Sequence, residues 1–165
     1  MTRVVLLGLV LLAVARAAPA DDPSPCPARG GVVRVSTARH RLWTCANGRA
    51  EAEYAVALGT GGVGKRKQGD AKVPLGEYTL GPPRGSSQFH LFIPVGYPTA
   101  LQRRRGFTGS AVGVHGPARG YEHLGSAANT AVDWTLGCIA VGSDEEIERI
   151  AAWMRRQGVS RIAID

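Results

Sequence analysis

A chain of 165 residues, 44% hydrophobic and 20% charged, has room for one domain around a single core. Its formal charge of +7 suits anionic surroundings. The basic residues are scattered or sit in loops and form no recognisable nucleic-acid module, so nucleic acid is not expected as a partner. No internal repeat or low-complexity tract points to a solenoid.

Met1 to Ala20 opens with Arg3, runs through the apolar stretch Val4 to Val14, and ends in the small-residue patterns Ala15-Arg16-Ala17 and Ala18-Pro19-Ala20. This reads as a cleaved signal peptide over residues 1–20, and its apolar run is shorter than the roughly 20 residues of a spanning helix. Export to a periplasm or cell wall is expected, with no stable membrane span after cleavage. Losing Arg3 and Arg16 lowers the charge by two, to +5. Residues 21–31 lack an apolar period and read as an extended leader to a domain over 32–165. An oxidising compartment permits Cys26 and Cys45 to pair as a disulfide, which leaves Cys138 as an odd thiol to be explained. Neither Cys26 nor Cys45 directly follows the apolar run, which disfavours a lipid anchor.

Short β-prone runs follow at Val32 to Ser36, Arg41 to Cys45 and Tyr54 to Leu58, with Asn47-Gly48 as a hairpin turn between the last two. Gly59 to Gly64 and Lys65-Arg66-Lys67 read as a flexible basic loop, and Pro74 and Gly76 lead into a strand near Glu77 to Leu80. Phe89 to Ile93 and Ser110 to Val114 are further strand candidates. The period then changes: Ile147, Ile150, Ala151 and Met154 recur at helical spacing, Ser143 and Glu146 make a capping box, and Gly158 stands at the C-cap. Arg161 to Asp165 alternates as a final strand, so the chain reads as mostly β with one C-terminal amphipathic helix.

The chemistry concentrates between Val112 and Gly142. His115-Gly116 ends a strand, and Asp133-Trp134-Thr135-Leu136-Gly137-Cys138 enters another. A thiol is mostly protonated at neutral pH, and a neighbouring imidazole can serve as its base. Gly137 has no Cβ, so a substrate carbonyl can approach backbone N–H groups of an oxyanion region. On composition and spacing alone, a small buried Cys138 and a satisfied strand-end His115 remain an equal reading.

These residues resemble the L,D-transpeptidase (YkuD-type) catalytic domain family over roughly Val32 to Asp165. Arg34 to Thr44 with the Asn47-Gly48 turn is similar to the first hairpin of that family, and Pro74-Leu75-Gly76-Glu77-Tyr78 to its Pro-x-Gly-x-Phe/Tyr segment. His115-Gly116 followed by Gly137-Cys138-Ile139 carries the strongest match. The resemblance implies an L,D-transpeptidase-like β-sandwich or barrel, with Cys138 as acylated nucleophile, His115 as general base and the Gly116 backbone carbonyl orienting the ring. It also implies peptidoglycan peptide stems as substrate and no cofactor. The commoner motif is Ser/Thr-His-Gly-Cys-x-Arg, whereas Leu136 and Ala140 stand here at the His and Arg positions. The 22 residues between His115 and Cys138 make an enlarged loop.

Within that loop, His123 reads as a substrate-groove residue or a solvated loop histidine, Asp133 and Trp134 as substrate-binding residues that fix the approach to Cys138 by a hydrogen bond and an aromatic wall or as a turn and a core Trp, and Arg119 as a holder of the substrate carboxylate in place of the missing Arg. His90 ranks below His115. Three other readings compete: a hydrolytic member of the family, a metallopeptidase using His115, His123, Asp133 and Cys138, and a wall-binding module with a structural Cys138. The metal reading has no spaced ligand pair behind it, so no metal site is expected.

Overall fold

Asn47 and Gly48 both adopt positive φ, +48° and +83°, the type I′ geometry whose twist matches that of the strands it joins. In the computed structural model, which describes residues 24–165, this turn pairs Ala46 with Arg49 and sets the register of β2 (Arg41–Ala46) on β3 (Arg49–Ala57). The expected signal peptide, Met1 to Ala20, and the first residues of the leader lie outside the described residues. β3 begins five residues before the apolar run at Tyr54. Its first half is polar and exposed, so the hairpin ladder, not burial, makes it a strand.

β1 (Gly31–Ser36) pairs antiparallel with β2 and parallel with β9 (Arg161–Ile164), and β4 (Gly76–Thr79) lies outside β9. On the other side β3 hands over to β8 (Ile139–Val141), then β7 (Gly113–His115), β6 (His90–Pro94) and β5 (Arg84–Ser86). The two wings meet where Leu80 bridges Val95, with Gly81 N–H on the Pro94 carbonyl and Gly96 N–H on the Thr79 carbonyl, both at 2.8 Å. The result is one nine-stranded sheet curled into a half-barrel, mostly β as the sequence predicts.

Inside the curl, Val33, Val35, Leu42, Val56, Ile93, Val114, Ile139 and Ile162 are buried against helix α3 (Asp144–Gln157), which inserts Ile147, Ile150, Ala151, Trp153 and Met154. Ser143 caps α3 by accepting from Glu146 N–H at 3.3 Å, and Gly158 closes it in the left-handed conformation. The capping box is only half made. The Glu146 carboxylate accepts from Gly142 N–H and Ser126 Oγ–H, each at 2.8 Å, and so ties α3 to the preceding crossover. Cys26 and Cys45 are joined by a 1.98 Å S–S bond, which pins the residues before β1 onto β2. They pack with Val32 and Trp43 in a small second apolar cluster.

Several short elements have no counterpart in the sequence reading: β5, α1 (Ala100–Arg104), a 3₁₀ turn Glu122–Leu124 and α2 (Ser126–Asn129). None is long enough to display a hydrophobic period. The expected strand Ser110 to Val114 shrinks to Gly113–His115 because Gly109 and Ala111 take φ of +102° and +56°, which breaks the extended run.

Candidate active site

β7 and β8 run parallel, with Val114 opposite Ile139 and His115 opposite Ala140. Parallel neighbours need a long crossover, and the segment between His115 and Cys138 is that crossover. Its continuous ladder brings Cys138, the residue just before β8, abreast of Gly113, two residues before His115. The register continues outward, with His115 opposite Phe92 on β6 and Phe92 opposite Arg84 on β5. Arg84, Phe92, His115 and Ala140 thus form one row across four strands.

His115 is 1% exposed. Its ring stacks on Phe89 at 3.9 Å, lies 6.1 Å from Phe92 and is walled by Trp134 at 5.7 Å. Its Nδ1 is 2.7 Å from the Gly116 carbonyl. A carbonyl only accepts, so Nδ1 carries the proton and Nε2 keeps a free lone pair. Burial lowers the His115 pKa to about 4, with the Gly116 carbonyl opposing, so the imidazole is neutral at neutral pH. Gly116 itself has no room for a side chain: a Cβ would fall 2.9 Å from the Phe89 carbonyl.

The Cys138 thiol is half-buried and points at the Ala111 carbonyl, 3.5 Å away. Burial raises its pKa, while a backbone hydrogen bond from Gly113 and the charge of Lys65 act in the opposite sense. The turn that carries it is held on both sides. Thr135 Oγ1 donates to the Cys138 carbonyl at 2.8 Å and accepts from Gly137 N–H at 3.2 Å. Gly137 has φ +114°, and a Cβ there would lie 2.5 Å from the Lys72 carbonyl. Thr135 is in turn bridged to the end of β3, its N–H on the Leu58 carbonyl at 3.0 Å.

Asp133 completes that junction. Its carboxylate accepts from Leu58 N–H at 2.7 Å and faces His40 Nε2 at 3.1 Å, so it fastens this segment to the end of β3. Trp134 meets the imidazole with its ring and donates Nε1–H to the Asn129 carbonyl at 3.0 Å. Arg119 is paired with Asp144 at 2.8 Å and Glu122 at 3.6 Å. His123 is exposed on the 3₁₀ turn, and His90 faces Glu148 on α3 at 2.6 Å. Among the described residues no three His, Cys, Asp or Glu side chains converge as a metal site, so the four residues weighed as metal ligands do not form one cluster.

Some residues at the site escape sequence reasoning. Lys65 belongs to a run read as flexible, yet its side chain is only 4% exposed and its ammonium sits 2.7 Å from Asp70. Burial would raise the Asp70 pKa, but Lys65 and the backbone N–H groups of Lys67, Arg66 and Lys72 hold the carboxyl well below the usual range. The Gly69-Asp70 turn just after the basic run is the signal that could have located this pair. Phe89, which stacks on His115, looks in sequence like one more apolar strand residue.

Three depressions surround the pair. One of about 360 Å³ exposes Cys138 beside Arg84, Ser86, Gln88, Phe89 and Phe92. A second, about 420 Å³, runs from Ala111 to Lys65 and Gln68, with Leu136, 81% exposed, at its lip. The third, about 350 Å³, is lined by Tyr121, Leu124, Val132 and Trp134.

The YkuD family model, described as the L,D-transpeptidase catalytic domain, matches residues 30–162. No curated protein matches the chain. Among solved structures the chain is similar to the helical cell shape determining protein Pgp2 of Campylobacter jejuni, at 20% identity and TM-score 0.67, covering 88% of this chain and 52% of that one. It is also similar to Bd1075 of Bdellovibrio bacteriovorus, at 22% identity and TM-score 0.60, covering 83% and 48%. An L,D-transpeptidase of Xylanimonas cellulosilytica aligns at 17% identity and TM-score 0.51, covering 87% and 64%. The chain spans about half the length of the first two, and the likeness to all three is one of fold.

Proposed function

Since the chain belongs to the YkuD family, the L,D-transpeptidase catalytic domain, we propose that it is an exported cysteine acyltransferase acting on peptidoglycan peptide stems. One observation carries this reading: a neutral imidazole with Nδ1 committed to the Gly116 carbonyl shares a parallel strand pair with an accessible thiol at Cys138. A thiol and a free imidazole lone pair on adjacent strands are what base-assisted thiol attack requires.

In the resting state the thiol and imidazole are both neutral. Rotation of the Cys138 side chain away from the Ala111 carbonyl turns Sγ toward His115. As Sγ attacks the carbonyl between the third stem residue and the terminal D-amino acid, Nε2 takes the thiol proton. The turn at Gly137 and Cys138 receives the oxyanion, Gly137 N–H exchanging its long bond to Thr135 for the new charge. The imidazolium then protonates the leaving amine, the C–N bond breaks, and the stem remains as a thioester on Cys138. An amine of a second stem resolves it into a crosslink: His115 takes the amine proton, the C–S bond breaks, and the imidazolium returns that proton to the departing Cys138 sulfur. Trp134 and Asp133 position this machinery from the crossover side, the first by walling the imidazole and the second by fastening the turn to β3. The positive net charge and the expected signal peptide over Met1 to Ala20 support a setting in the periplasm or cell wall.

The test is to incubate the mature protein with a tetrapeptide stem, with and without an acceptor stem, and follow protein mass and products beside Cys138→Ala. The expected result is an acyl adduct on wild type alone and crosslinked dimers only with acceptor. Shortened stems without dimers assign water as the acceptor and a hydrolytic reaction. Absence of both adduct and product, with binding to sacculi retained by Cys138→Ala, overturns catalysis in favour of a wall-binding role.

A further inference from the structure

Among the described residues, Arg84 is the one cation that lines the groove exposing Cys138, and the neighbouring cations outside it are engaged elsewhere. Lys65 is paired with Asp70, Arg119 with Asp144 and Glu122, and His90 with Glu148. Arg84, on the outermost strand of the same groove, makes no ion pair among the described residues. Its guanidinium lies 5.2 Å from the centre of the Phe92 ring, and that ring is itself nearly parallel to the His115 imidazole, 12° apart in plane. Phe92 can lie flat because Gly113 is beneath it: a Cβ there would be 2.3 Å from the ring. One aromatic ring therefore separates the guanidinium from the base.

Attraction to the aromatic face holds a guanidinium near the ring while leaving its N–H donors available. Those donors form a fork matched to a carboxylate. The turn after Arg84 is also fixed, since Ser86 Oγ accepts from the N–H groups of Gln88 and Phe89, each at 3.2 Å. Ala140, at the other end of the row, offers no charge. A reaction that expels a terminal residue has to read a free α-carboxylate one residue beyond the bond it breaks, about 3.5 Å of chain further along.

We propose that Arg84, held over the Phe92 ring, is the carboxylate-binding residue of the Cys138 groove and selects stems that end in a free D-amino acid. The proposal rests on the acyl-transfer reading above. It makes Arg84 a specificity residue: it holds the leaving residue by its carboxylate and takes no part in proton transfer.

The test compares two donors, a tetrapeptide stem with a free terminal carboxylate and the same stem as its terminal amide. Both are given to wild type, Arg84→Gln and Arg84→Lys as mature protein, with kcat and KM measured separately. Wild type prefers the acid. Arg84→Gln lowers kcat/KM for the acid by about 10- to 100-fold, the range of a lost charge-assisted pair, leaves the amide within about 3-fold, and so removes the preference. Arg84→Lys keeps the preference in part. Equal loss on both donors would mean that Arg84 only supports the groove, and an unchanged acid preference would mean that another group reads the carboxylate; either overturns the proposal. Wild type that forms no Cys138 adduct with either donor overturns the acyl-transfer reading itself, a result distinct from both.

Discussion

His115 is neutral because it is buried between aromatic rings, and that has a cost that varies with pH. Its pKa falls from 6.5 to about 4 on folding, so between those values the unfolded chain binds a proton that the folded one refuses. Stability from this group is complete above about pH 6.5, declines as pH falls, and is gone below about pH 4, a difference of about 3 kcal/mol in all. Chemical denaturation from pH 7 to 4 is expected to show this slope in wild type and a shallower one in His115→Gln. Activity is expected to follow the neutral pair, with kcat/KM falling on the acid side near pH 4 and on the alkaline side above the ordinary thiol range; an acid limb near pH 6.5 would mean that the imidazole is not buried in the working enzyme. Gly137 is the other residue with little latitude. Gly137→Ala combines a positive φ with a contact at 2.5 Å from the Lys72 carbonyl. It is expected to lose about 1–3 kcal/mol in urea denaturation and to abolish the acyl adduct seen by mass spectrometry.

At the level of elements, the site depends on the fastening between the end of β3 and the residues before β8. Asp133→Ala leaves Leu58 N–H without its acceptor, an expected loss of about 1–3 kcal/mol. Because the displaced segment carries the thiol, kcat is expected to fall more than KM rises, and iodoacetamide labelling of Cys138 should change in rate. This junction also marks where sequence reasoning stops. The pattern His115-Gly116 and Gly137-Cys138, the hairpin at Asn47-Gly48 and the helix from Ser143 to Gly158 are all legible, because each is written in neighbouring residues. That Asp133 serves Leu58 and that Arg119 is taken by Asp144 are facts of long-range pairing. No local period reports them. The half-made capping box has the same origin: Glu146 finds Ser126 and Gly142, and a nonlocal partner outcompetes the local one.

For the molecule as a whole, the disulfide and the proposed catalytic pair lie in different wings of the sheet. Cys26 and Cys45 close a loop of 19 residues, for which chain entropy predicts about 3 kcal/mol of stabilisation. Mild reduction, or the double change Cys26→Ala and Cys45→Ala, is expected to lower the unfolding free energy measured by chemical denaturation by that amount while leaving kcat/KM on stems unaltered at 25 °C. A loss of turnover at constant folded fraction would show that the two wings are coupled. The parallel pairing of β7 with β8 bears on how the protein can be taken apart. Each strand is held by its partner and by an outer neighbour, β6 or β3, so their alignment does not depend on an unbroken chain between them. Gly120 lies at the exposed tip of the crossover, with open space where a Cβ would be. A chain cut there yields two fragments, one bringing His115 and the other Cys138, and if the pair acts as proposed, turnover becomes a reporter of their reassembly.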